Sequence, residues 1–194
     1  MTILSSENAL QKLMEGNKRY VAEKPVYPNQ TTVRRAEIAE GQHPFAIIVS
    51  CSDSRVPPEI IFDQGLGDLF VIRVAGNTVD NMVMASVEYA AEHLNVQLAL
   101  VLGHKRCGAV DAAIKSDGSR GSIDNLIKAI KPAVEKAKNQ TGDLQDNAVK
   151  ANVKMVVDQL KSSKPILCEL VKDNKLMIIG AFYDLDSGLV DVIT

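Results

Sequence analysis

Two short stretches hold the residues whose types and spacing suit chemistry. In the first, Cys51-Ser52-Asp53-Ser54-Arg55 follows the apolar run Phe45 to Val49 and precedes Pro57-Pro58. In the second, His104-Lys105-Arg106-Cys107-Gly108 follows the apolar run Gln97 to Gly103. Short, continuous apolar runs with β-branched members read as strands buried on both faces of a parallel sheet. Each run therefore delivers reactive side chains to the carboxyl end of a strand, where open α/β sheets bind their ligands. Taken alone, an intracellular cysteine is most often a small buried apolar residue. If the two strands are neighbours, however, Cys51, His104 and Cys107 meet at one edge of the sheet. Two thiolates and an imidazole suit zinc, and three protein ligands leave a fourth tetrahedral position for water, as catalytic zinc requires.

Asp53 and Arg55 are two residues apart and would share a side if strand geometry persists. An isolated Asp-x-Arg pair is usually an ordinary salt bridge. Beside a metal it gains a second role, because a free Asp53 would occupy the fourth position and close the site. Arg55 competes for that carboxylate through a bidentate contact and keeps it ionised, leaving Asp53 to accept a hydrogen bond from the water. Among the other candidates, Cys168 is expected in the core between Ile166 and Leu167. His93 is expected to be structural, and His43, ahead of Pro44, to be a surface residue rather than a proton relay.

The elements that must position these residues alternate between strand and helix, which implies a mostly parallel sheet of four to five strands flanked by helices. Ser5-Ser6 caps a helix through about Val21, with Leu10, Leu13, Met14 and Tyr20 as its apolar stripe. Residues 1–42 read as a helical arm, with a polar segment from Ala22 and a short helix at Val33 to Glu40, and residues 43–194 as the α/β core. A helix on such a tether suits exchange between subunits in a dimer, the alternative being a loosely packed surface helix. Asp68 to Val74 reads as the second strand, Met82 to Leu94 as a helix and Ala109 to Lys115 as another. A helix from Ile123 is expected to break at Pro132, where a new segment starts. Asp143 to Leu160 and Pro165 to Lys172 complete the helices, and Leu176 to Tyr183 and Leu189 to Ile193 the strands, the last at an edge.

The bulk numbers exclude several classes. A chain of 194 residues with 46% apolar and 24% charged residues is an ordinary globular composition. A net charge of -2 offers no reason to expect nucleic acid or an anionic membrane as a partner. No apolar run approaches the roughly 20 residues of a membrane span, and the polar N-terminus carries no secretory signal, so a cytoplasmic protein is expected. Three cysteines, two of them at metal-ligand spacing, argue against a disulfide framework.

With both motifs in this order and separation, the sequence closely resembles the β-class carbonic anhydrases, and Gly67 to Asn77 between them is similar to that family's second-strand segment. The resemblance runs from the N-terminal helix to Asp186. It implies one Zn2+ per subunit on Cys51, His104 and Cys107, with Asp53 and Arg55 as the gating pair. It implies reversible hydration of carbon dioxide to bicarbonate and a proton by zinc-bound hydroxide, a homodimer built on exchanged N-terminal helices, or a dimer of dimers, and sites at the subunit interface. Gln42, Phe70 and Tyr89 fall where the plant-like branch of the family has its substrate pocket. Ala75 stands where that branch often has valine, and Gly108 matches the glycine beside the last zinc cysteine. Ile48 replaces the tryptophan that lines a non-catalytic bicarbonate site in another branch. Two alternatives stand beside this reading: a carbon disulfide or carbonyl sulfide hydrolase on the same scaffold, and a zinc- or bicarbonate-binding protein without turnover.

Overall fold

A computed structural model of the chain describes residues 3–116 and 120–194. Along these residues the elements are α1 (Ser6–Val21), α2 (Thr32–Ala39), β1 (Ala46–Ser50), α3 (Pro58–Ile61), β2 (Leu69–Arg73), α4 (Asn81–Glu92), β3 (Leu98–His104), α5 (Gly108–Lys115), α6 (Ile123–Ala137), α7 (Leu144–Ser162), α8 (Ile166–Lys172), β4 (Met177–Tyr183) and β5 (Val190–Val192). Ser5, Asp80 and Asp143 start α1, α4 and α7 by accepting first-turn amides on their side chains. No helix among the described residues is long and apolar enough to cross a membrane.

The strands form one sheet in the order β2-β1-β3-β4-β5. All pairings are parallel except that of β5, which runs antiparallel on the β4 edge. The continuous apolar runs have the expected fate, since every residue of β1 and β3 is buried. Ala46 and Ile48 face a core layer completed by Leu13 of α1, Val110 of α5 and Ile130 of α6. Ile47 and Val49 face the opposite layer, with Val87 of α4, Val156 of α7 and Leu167 of α8. The chain leaves β1 towards β2 on one side and leaves β3 towards β4 on the other. β1 and β3 are adjacent, so the crevice between their carboxyl ends is the topological switch point of the sheet, the place where such folds bind ligands. Ser50 pairs with Leu102, which brings the residues that follow β1 level with the end of β3.

Two expectations need correction, the first and third below, and one gains detail. First, α6 runs unbroken through Pro132. Proline removes the amide that would bond the carbonyl of Lys128, but both residues lie on the exposed side of the helix, so that carbonyl is not left in the core. Second, α1 covers part of its apolar stripe within its own chain, Leu10, Met14 and Tyr20 staying half-buried. It packs on its own chain, with Ala9 and Leu13 fully buried. A side chain at Gly16 would stand 1.7 Å from the carbonyl oxygen of Phe62, so glycine is what lets the helix come this close. Buried Asn17 donates to the carbonyls of Ile61 and Gly188 and accepts the amide of Val190. Third, Cys168 is only half-buried rather than part of the core.

Candidate metal centre

Cys51 leaves the end of β1, His104 is the last residue of β3, and Cys107 begins the turn into α5. Their ligand atoms all lie within 4.8 Å of one another, and all three residues are buried. The ring of His104 is fixed by a 3.0 Å contact between Nδ1 and the carbonyl of Lys105, which makes Nδ1 the protonated nitrogen. That leaves Nε2 with its lone pair free, fully buried and without a hydrogen-bond partner among the described residues. An orphaned buried imidazole nitrogen facing two sulfurs fits a soft-to-borderline cation. The electrostatics agree. The neighbouring Cys107 thiol, together with His104 and two backbone amides, pulls the Cys51 thiol down, while the same sulfur contact and burial push Cys107 up. A dication between them would favour the ionised form of both sulfurs.

The amides that stabilise Cys51 come from Asp53 and Gly76, whose N–H groups donate to Sγ at 3.4 and 3.2 Å. Gly76 has φ 64°, the left-handed region, in the short turn Ala75–Asn77. Buried Asn152 of α7 fixes that turn by donating to the Gly76 carbonyl at 2.8 Å. Gln145, also on α7, donates to the Cys107 carbonyl at 3.1 Å.

Asp53 lies beside the cluster, with Oδ2 3.9 Å from His104 Nε2. Arg55 grips it with a fork, Nε to Oδ1 at 2.9 Å and Nη2 to Oδ2 at 2.6 Å. That contact holds the Asp53 carboxyl well below the usual carboxylate range. Arg55 is held in turn by the Arg106 carbonyl at 3.1 Å. Arg73, at the end of β2, donates from Nε to the Cys51 carbonyl at 2.9 Å and from Nη2 to the Asp53 carbonyl. One guanidinium therefore fixes the loop that presents both residues.

The expected site residues divide into two groups. Ala75 and Gly108 adjoin the cluster, one beside Gly76 and the other beside Cys107. Gln42, Phe70 and Tyr89 do not join it within this chain. Gln42 is exposed ahead of β1, at the opposite end of that strand from Cys51. Phe70 pairs with Ile47 near the amino end of the sheet and packs on the opposite layer. Tyr89 of α4 is 47% exposed, with its ring centre 6.3 Å from that of Phe70. His43 is exposed at the same amino end. His93 is exposed at the C-terminus of α4, its ring 5.3 Å from that of Tyr89.

A buried Cys2His cluster beside a guanidinium-held carboxylate, at the switch point of a mostly parallel sheet, is a donor set that suits zinc. Comparison with known proteins gives the family. Residues 46–190 match the carbonic anhydrase family model. Carbonic anhydrase 2 of Mycobacterium tuberculosis is 41% identical over 184 residues, covering 93% of this chain and 89% of that protein. The carbonic anhydrase of Mycolicibacterium smegmatis is 36% identical over 188 residues, covering 95% and 91%. A tetrameric β-carbonic anhydrase from Sordaria macrospora superposes with a TM-score of 0.77 at 26% identity, covering 96% of this chain and 97% of that one. The chain belongs to the β-class carbonic anhydrases.

Proposed function

We propose that the chain hydrates carbon dioxide reversibly to bicarbonate and a proton, with zinc held by Cys51, His104 and Cys107. The observation that carries this reading is the buried triad with ligand atoms within 4.8 Å of one another, beside a carboxylate that Arg55 holds in a two-point grip. Zinc in a three-ligand site lowers the pKa of water from ~15.7 towards ~7, supplying a nucleophile at neutral pH. The chain's own residues do the rest. Asp53, kept anionic by Arg55, accepts a hydrogen bond from the attacking oxygen and orients it. Because both carboxylate oxygens are engaged by the guanidinium, Asp53 is held back from the metal. The His104 Nδ1 contact to the Lys105 carbonyl keeps Nε2 available as a ligand. Ala75 and Gly108 give the small apolar wall that suits an uncharged, linear substrate.

Gln42, Phe70 and Tyr89 enter this reading through a homodimer. β2 is an edge strand whose residues are all half-buried, so it offers unpaired backbone groups. Pairing two such edges about a two-fold axis runs them antiparallel, and the amino end of one then meets the carboxyl end of the other. The Phe70–Tyr89 patch of one subunit would thereby close the metal site of its partner, and two such dimers would make the larger assembly. Sedimentation of the full chain at micromolar concentration is expected to show a dimer or a multiple of it; a monomer would contradict the shared pocket.

Zinc analysis together with stopped-flow hydration of carbon dioxide tests the activity. The expected result is one zinc per subunit and fast hydration near neutral pH. Zinc-loaded protein that hydrolyses carbon disulfide or carbonyl sulfide but leaves carbon dioxide unhydrated would overturn it.

A further inference from the structure

The amino ends of β1, β2 and β3 enclose a cavity of about 310 Å³. It is bounded by His43 to Phe45 ahead of β1, Asp68 ahead of β2 and Leu94 to Gln97 ahead of β3. It therefore lies at the opposite end of the sheet from the metal centre of its own subunit, roughly 20 Å away by the length of β3. α1 brings Lys12 into its wall, and α2 brings Arg34.

Lys12 is the unbalanced group. Its half-buried ammonium sits 4.0 Å above the centre of the Phe45 ring, a cation–π contact. Among the described residues it makes no hydrogen bond and no ion pair. Burial accordingly pulls its pKa down. The carboxylates nearby are already engaged. Asp68 accepts both contacts of Asn29 Nδ2 at 2.8 Å and the Gly65 amide at 2.8 Å, and it faces Arg34 at 3.8 Å. Arg34 also pairs with Glu37 at 3.5 Å. Asp68 acts on Lys12 only at longer range, against the opposing charges of Arg34 and Arg19, so Lys12 is the cation of this wall without a carboxylate in direct contact, a place a monoanion would take. A phosphate dianion would meet Asp68 with surplus charge. Leu4, Leu94 and the Phe45 ring give the cavity an apolar side, facing the polar His43, Asn95 and Gln97. The volume is at the low end for ligand pockets, so the occupant is small.

We infer that this cavity is a binding site for a small organic carboxylate, with the carboxylate on Lys12 and the apolar body against Leu4 and Leu94. Benzoate is the probe. Calorimetric titration of the full-length, zinc-loaded protein is expected to show saturable benzoate binding. Lys12→Met, which keeps the methylene stem but not the charge, should weaken that binding by about tenfold or more, as loss of a charge-assisted contact does. Lys12→Arg should retain affinity within about threefold, since the charge is kept. Carbon dioxide hydration by Lys12→Met should match the wild type, which also shows that the variant is folded. Equal benzoate affinity in wild type and Lys12→Met would overturn the site and place the probe elsewhere, the metal included. No saturable binding up to about 10 mM would overturn it as well, that being weaker than the millimolar end of specific affinities. Inorganic phosphate binding more tightly than benzoate would overturn the carboxylate assignment.

Discussion

His104→Ala and Cys51→Ser are each expected to purify with little zinc and to lose carbon dioxide hydration by more than about 100-fold. Loss of a residue that merely supports a ligand costs about 10–100-fold in metal affinity or activity, and removal of one of three protein ligands must cost more. The site gives no substitute. His104 is fully buried, and its Nε2 has no other partner among the described residues. Cys51 Sγ is already set by the amides of Asp53 and Gly76, a preorganisation that a serine hydroxyl cannot turn into thiolate chemistry. Cys51→Ser changes volume little, so its far-ultraviolet circular dichroism should be that of the wild type and the loss should be one of metal alone. Cys168→Ser is the control: Cys168 is half-buried on α8, outside the cluster, and its zinc content should be unchanged. Full zinc occupancy in both ligand variants would sink the assignment of this triad.

The fold and the heart of the site were legible because both depend on local pattern. Continuous apolar runs such as Leu98 to Leu102 can only be strands buried on both faces. The reactive residues follow those runs directly, so predicting the strands also predicts where Cys51 and His104 meet. The bracing residues were less visible. Arg73 stands at the end of the second strand and would pass for a rim charge; only the three-dimensional loop reveals that it donates to the carbonyls of Cys51 and Asp53. Asn152 did carry a signal, a polar residue on the stripe of Val149, Val153 and Val156, although its partner Gly76 lies 76 residues away. Pro132 misled because the break it signals applies where the freed carbonyl is buried, and here the carbonyl lies on the exposed side of the helix. The stripe on α1 marks a face that must be covered without naming the cover, and Gly16 and Asn17 dock it onto its own chain. Gln42, Phe70 and Tyr89 belong to a different surface of the subunit from the triad, a separation that linear spacing does not express.

Arg55→Ala is expected to retain zinc while losing carbon dioxide hydration by about 100-fold, the upper end for residues that act on a metal site through another group. Asp53 Oδ2 stands 3.9 Å from His104 Nε2, so the carboxylate is a small movement from the metal position. What restrains it is the two-point grip of Arg55, with Nη2 and Nε on separate carboxylate oxygens. With zinc bound, removing the guanidinium would free an anion beside a cation, and the anion would take the position that water needs. Arg55→Lys should recover only part of the activity, because an ammonium offers a point charge without the planar fork that occupies both oxygens. The same grip keeps Asp53 ionised at neutral and mildly acidic pH. Asp53 is held below the usual carboxylate range, so its ion pair persists from neutral pH down through that range and is lost only when pH falls through the lowered value. A crystal structure of Arg55→Ala near neutral pH should show Asp53 as the fourth ligand. If the variant instead keeps water in that position and hydrates carbon dioxide at the wild-type rate, Arg55 does not hold the gate, and the zinc triad would stand without it.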